Sequence, residues 1–188
     1  MKQLISKDKQ AYHVVLTTHN SRTSPRMIKY NVKKGPPIEL GLEEEIALTE
    51  IIGNIITENA YSCLEYNICK DHVHLLVVCE YEELSKMIQK LKSISSKLFR
   101  RLDISMGHDP LEHKGLWSQK FYRADLDVWK LASLSNQPGY IYKDSHFDNT
   151  IPYIRNNRIK HKLPKSIKLE KIINSFTVSQ EIAFSNGS

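Results

Sequence analysis

The sequence predicts an α+β domain of ferredoxin-like (RRM-like) split βαβ architecture, an antiparallel sheet with two helices packed on one face. Three observations predict it: apolar stretches of strand character at Tyr12–Thr18, Ser62–Lys70 and His72–Cys79, two longer stretches of helical period after Leu42 and Glu83, and the order in which they alternate. Strand, helix, strand, strand, helix, strand is the order of that fold.

Tyr12-His13-Val14-Val15-Leu16-Thr17-Thr18 is rich in β-branched and aromatic residues and reads as the first strand. Ser, Asn, Lys, Gly and Pro fill Asn20–Pro37, which is expected to be a long surface loop or a hairpin between short strands. Leu48, Ile51, Ile52, Ile55 and Ile56 then recur at helical spacing behind Glu43, Glu44 and Glu45, whose charges suit a helix N-terminus. Ser62–Lys70 meets His72–Cys79 through almost no turn, so the two form a tight antiparallel hairpin. Over Glu83–Leu102, Leu84, Met87, Ile88, Leu91, Ile94, Leu98 and Leu102 make the core stripe of a second helix. Asp103–Gly115 reads as a polar loop, Leu116–Ala124 as another strand or the approach to one, and Val128–Asp148 as an irregular loop. The last element is a helix over Asn149–Lys162, capped by Asn149 or Thr150, with Pro152 in its first turn where a missing N–H costs nothing.

A chain of 188 residues suits one domain, and 40% hydrophobic with 26% charged residues is ordinary for a globular protein. No apolar run approaches bilayer length, and the first residues lack the apolar core of a signal peptide, so no membrane contact and a cytoplasmic location are expected. Cys63, Cys69 and Cys79 are odd in number and sit in or beside apolar strand patterns, as reduced packing residues do. Net charge is +6, and Arg155–Lys171 holds seven Lys and Arg against Glu170 alone. Such a run is either a solvated face or the footprint of a nucleic-acid backbone.

Chemistry concentrates in Asp71-His72-Val73-His74-Leu75-Leu76-Val77-Val78. On a strand His72 and His74 project the same way while Val73 points to the other face. Paired neutral imidazoles suit a metal ion, although the pair alone also fits partly exposed strand histidines. The predicted topology makes this strand central and puts its outward residues on the face the helices leave open. On the last helix Tyr153 and Asn157 stand four apart and share a face. Two histidines, a tyrosine and a carboxamide fit transesterification at a DNA phosphodiester. A divalent cation neutralises and orients the phosphate, and a tyrosine is a nucleophile that can also leave.

The His-hydrophobic-His stretch at Asp71–Leu76 resembles the signature of the single-tyrosine HUH transposases, the small insertion-sequence enzymes and their REP-associated relatives. Tyr153-Ile154-Arg155-Asn156-Asn157, followed by Ile159-Lys160-His161-Lys162-Leu163, resembles that family's tyrosine helix, and Leu116-Trp117-Ser118-Gln119-Lys120-Phe121-Tyr122 resembles its Trp-containing segment. The resemblance spans Tyr12–Leu163. It implies that His72, His74 and Asn157 bind Mg²⁺ or Mn²⁺ and that Tyr153 attacks the phosphate. Single-stranded DNA with hairpin ends would be cut to a 5′-phosphotyrosine and a free 3′-hydroxyl, by a homodimer. Two features depart from the pattern: Asn157-Arg158 stands where the family has Asn-Pro, and Asp127–Tyr142 is longer than the usual connection. Residues 1–165 are expected to form this domain, with 166–188 as a tail or short extra helix.

Arg155, Arg158, Lys160 and Lys162, with Lys97, Arg100 and Arg101 on the second helix, are the expected backbone contacts to DNA. Simpler roles stand beside these. Tyr153 fits a half-buried helix anchor, Tyr140 and Tyr142 compete for the nucleophile's role, and Asn157 fits a surface amide. His13, His19, His113, His146 and His161 read as surface or packing residues, with His161 also able to touch phosphate. Trp117 and Phe121 read as core, or as a stacking surface for a base. A non-catalytic nucleic-acid-binding module of the same fold and an HUH nickase of replication or plasmid transfer are the alternative functions.

Overall fold

The computed structural model describes residues 9–23, 25–105, 115–126 and 146–185. Four strands, β1 (Lys9–Thr17), β2 (Ser62–Cys69), β3 (His72–Glu80) and β4 (Tyr122–Leu126), form one antiparallel sheet in the order β2-β3-β1-β4. That is the predicted split βαβ order, with the histidine strand β3 central. Two long helices, α2 (Leu42–Glu58) and α3 (Tyr81–Ser105), follow β1 and β3. Their Ile52, Ile55, Ile56, Leu84, Ile88 and Leu91 pack on one sheet face against Tyr12, Val14, Leu16, Val73, Leu75 and Val77. Glu44 accepts a 2.6 Å hydrogen bond from the Gly41 N–H and closes the start of α2. No helix among the described residues is long and apolar enough to cross a membrane.

The second sheet face is not open, as the sequence reading had it. Helix α4 (His146–Arg155) and helix α7 (Gln180–Phe184) lie across it, packing Phe147, Ile154, Ala183 and Phe184 on Ala11, Leu76, Val78 and Leu126. The reason is legible in β3: Leu76 and Val78 continue the His72–His74 face as apolar residues, so both faces demand cover. Between them, α5 (Asn157–Lys160) and α6 (Ile167–Phe176) complete the C-terminal part, and Leu169 and Phe176 of α6 join the first core. The described residues after 165 thus carry two packed helices, α6 and α7.

Three other expectations change. The described residues of Asn20–Pro37 form no hairpin and carry the short helix α1 (Pro25–Lys29). Helix α4 begins at His146, so Asn149, Thr150 and Pro152 lie within it rather than at its cap and first turn. Buried Phe147 anchors the added turn, tertiary packing overriding the weak propensity of Asp148-Asn149-Thr150. The chain breaks at Asn156 before α5, so the expected single helix is two. Most of the loops expected at Asp103–Gly115 and Val128–Asp148, with Tyr140 and Tyr142, lies outside the described residues.

Strand β2 holds a bulge at Leu64, where Cys63 pairs Val77 and Glu65 pairs Leu76. One extra residue inverts the alternation. Tyr66 and Ile68 therefore enter the helix-side core, and Glu65, Asn67 and Cys69 share the histidine face.

Candidate active site

His72 and His74 are 2% and 4% exposed, their ring centroids 4.9 Å apart. They are buried rather than partly exposed, beneath the C-terminal helices. Each has its Nδ1 engaged. Asp71 Oδ1 lies 2.6 Å from His72 Nδ1, and the His72 hydrogen bond holds the Asp71 carboxyl below the usual carboxylate range. His13 Nε2 lies 2.9 Å from His74 Nδ1, with the two rings stacked at 5.1 Å. Burial first, then charge on His72, His13 and His161, lowers the pKa of His74 to about 3. Burial also lowers that of His13. His74 is therefore neutral near pH 7, the form in which an imidazole ligates a metal.

The α4–α5 break brings the second half of the site onto β3. Asn157, 1% exposed, places Nδ2 at 2.8 Å from His74 Nε2, and its Oδ1 accepts from the Cys69 thiol at 3.8 Å. With that amide donating to Nε2, His74 carries its proton on Nδ1 and donates it to His13. Tyr153 is 44% exposed, its ring edge-on to His74 at 5.6 Å and to His13 at 5.9 Å. The Lys160 ammonium lies 5.2 Å from the Tyr153 ring centre. His13, His72, His74, Tyr122, Tyr153 and Lys160 line one open cleft of about 740 Å³.

Three polar anchors fix this junction. Asn67 Nδ2 donates to the Ile154 carbonyl at 2.5 Å and to that of Arg155 at 3.1 Å, satisfying the C-terminal end of α4. Arg155 Nε donates to Glu65 at 2.7 Å. Arg158 Nη1 donates to Glu45 at 2.7 Å and to the Ile68 carbonyl at 2.9 Å, while its Nη2 reaches the Pro164 carbonyl at 2.9 Å. Arg158 thus holds the fold together where a DNA contact was expected, because Glu45, 2% exposed at the start of α2, needs a buried counter-charge.

The other predicted basic residues divide. Lys160 is in the cleft, and Lys162 is exposed beyond α5. Lys97, Arg100 and Arg101 line a different cleft, of about 770 Å³, on the helix side of the sheet beside Trp117 and Phe121. The sheet separates them from Tyr153. Trp117 is core, its Nε1 donating to Ser95 Oγ at 2.9 Å.

One site residue escaped the sequence reading, and a second, His161, reads there only as a surface or packing residue able to touch phosphate. His13 alternates with core residues Tyr12 and Val14 on β1, next to β3, and that phase was the available signal. His161 follows α5 and stands 5.0 Å, ring to ring, from His72; nothing in its spacing announces this, because the α4–α5 break sets its direction.

The donor set fits a divalent cation. Both histidines keep Nε2 for a metal while an outer partner holds Nδ1, the usual support of metal-binding histidines. A half-turn of the Asn157 amide would put its oxygen where Nδ2 stands, and amide orientation follows the partner present.

A family model described as "Transposase IS200 like" matches residues 6–141, ending before the tyrosine helix. No curated protein matches the chain. Among solved structures, a provisionally assigned transposase from Deinococcus radiodurans R1 is similar in fold, at TM-score 0.50 and 18% identity, over 72% of this chain and 92% of that one. A REP-associated tyrosine transposase bound to a REP hairpin aligns at TM-score 0.47 and 12% identity, over 100% of this chain and 91% of that one. With the family match covering most of its length, the chain belongs to the IS200-like transposases.

Proposed function

We propose that this transposase cuts and rejoins single-stranded DNA at hairpin-bearing ends, with Tyr153 as the nucleophile and Mg²⁺ or Mn²⁺ held by His72, His74 and Asn157. One observation carries the reading: Asn157 and His74, 83 residues apart, meet at 2.8 Å while Tyr153, four residues before Asn157, lines the cleft that His74 also lines. The bound cation would supply Lewis-acid charge to the scissile phosphate, and imidazole donors favour Mn²⁺ over Mg²⁺.

Tyr153 Oη forms a bond to phosphorus as the bond from phosphorus to the 3′-oxygen breaks. The phenol proton leaves, and the 3′-oxygen takes one up. The 5′-phosphotyrosine keeps the energy of the broken bond, so a 3′-hydroxyl can reverse the step without ATP. Lys160 places a cation beside the tyrosine, where phosphate charge would lie. Lys162, the exposed part of Arg155 and the Lys97–Arg101 patch are suited to backbone contacts that position the strand without reading its sequence. Residues 1–165 carry this chemistry in our reading, with α6 and α7 as a buttress, and a homodimer would hold two complete sites.

The test is incubation with Mn²⁺ and labelled single-stranded hairpin DNA from the ends flanking the gene, resolved on denaturing gels. A covalent protein–DNA adduct in wild type that is absent in Tyr153→Phe is expected. Binding without adduct or nick in any divalent metal would overturn the reading in favour of a non-catalytic DNA-binding module.

A further inference from the structure

His72 has a second set of neighbours that this reaction does not use. Cys69 is its cross-strand partner on β2, and His161 stands beside it at the end of α5. One ligand atom from each of Cys69, His72 and His161 lies within 4.8 Å of the other two. Tetrahedral bonds of about 2.3 Å to sulfur and 2.0 Å to nitrogen put neighbouring donors roughly 3.5 Å apart. The set therefore needs a closure of no more than about 1.3 Å to grip an ion of zinc size. His161 is exposed and can turn, whereas Cys69 and His72 are fixed by the sheet ladder. A buried thiol with two imidazoles is a soft donor set, chosen by zinc-class ions and disfavoured by Mg²⁺.

We propose that Cys69, His72 and His161 form a second, thiophilic cation site that excludes the reaction's metal ion. The exclusion is chemical. Asp71 occupies His72 Nδ1, so His72 offers one nitrogen lone pair, and one lone pair ligates one ion. Ligation forms a sulfur–metal bond, breaks the S–H bond and releases that proton to solvent. The Cys69 hydrogen bond to the Asn157 amide is lost with it. Zinc then inhibits by occupying the His72 lone pair that the reaction's cation would need. Binding stands independently of the proposed reaction; the inhibition rests on it.

The full-length chain is titrated with Co²⁺ and its absorption followed, then back-titrated with Zn²⁺. Tetrahedral cobalt bands with a sulfur-to-cobalt charge-transfer band are expected, displaced by zinc. Cys69→Ser should lose the charge-transfer band, and His161→Gln should weaken zinc by more than about tenfold, since loss of even an outer-sphere partner costs 10–100-fold. His74→Gln, which lies outside the set, should keep the band. No charge-transfer band in wild type, or one that persists in Cys69→Ser, overturns the site. If Cys69→Ser does not fold, His161→Gln decides the same question. In the adduct assay Zn²⁺ should suppress the Mn²⁺ reaction, and His161→Gln should require at least about tenfold more zinc. Equal zinc sensitivity in wild type and variant overturns the exclusion. Absence of any adduct in wild type counts against the proposed reaction, while the cobalt spectra still decide the site.

Discussion

His13 Nε2 sits 2.9 Å from His74 Nδ1, so a histidine of the first strand fixes the ring of a histidine on the central one. Asp71 does the same for His72. Outer partners of this kind typically contribute 10–100-fold to metal affinity. His13→Phe and Asp71→Asn should therefore each weaken Mn²⁺ binding by about 10–100-fold, measured by electron paramagnetic resonance of free Mn²⁺, without loss of secondary structure. Unchanged affinity in both would show that the rings need no such support.

Arg158 and Glu45 form a buried ion pair joining α5 to the start of α2, with side chains 13% and 3% exposed. Burial pushes the Glu45 carboxyl up, opposed by the Arg158 hydrogen bond and charge. Removing one partner leaves a charge stranded. Arg158→Met should cost about 3–5 kcal/mol in urea unfolding, and Glu45→Leu added to it should recover most of that loss. A stable single variant would place Arg158 back among the DNA contacts.

The legible part of this site follows from local periodicity. Alternation put His72 and His74 on one face, but the shared helical face expected for Tyr153 and Asn157 is interrupted by the break at Asn156. What escaped depends on long-range geometry. His13 joined through the β1–β3 register, and Cys69 and Asn67 through the Leu64 bulge, which inverts the phase of β2. The covered second face was readable from Leu76 and Val78, but which helices cover it was not. Arg158 looked like any surface cation of a basic run, since its partner Glu45 lies 113 residues away.

His74 should make stability depend on pH in the metal-free protein. Its folded pKa is about 3, below the usual 6.5 for the unfolded chain. Between those values the unfolded state binds the extra proton, so stability rises with pH. The contribution is fully present above about pH 6.5 and is lost as pH falls toward about 3. Urea unfolding of chelator-treated protein across that range should show a slope that His74→Gln flattens. Equal slopes would place the titration on another group.

Tyr153 and His74 belong to one chain, with ring centres 5.6 Å apart, and Asn67 and Glu65 of β2 clamp the tyrosine helix onto its own sheet. The proposed nucleophile and metal ligands thus lie within one protomer, so under that reading cleavage should proceed in cis even if two chains associate. Mixing Tyr153→Phe with His72→Ala tests this. Neither variant has both the proposed nucleophile and the proposed metal pair, and in cis the mixture should form no adduct. Working in trans, a mixed dimer would join one chain's Tyr153 to the other's His72 and His74 and recover a fraction of wild-type adduct. Recovery would mean that the clamp opens and the tyrosine helix exchanges between chains. Weakening the clamp with Asn67→Ala, which leaves the α4 carbonyls unsatisfied, should then raise it further.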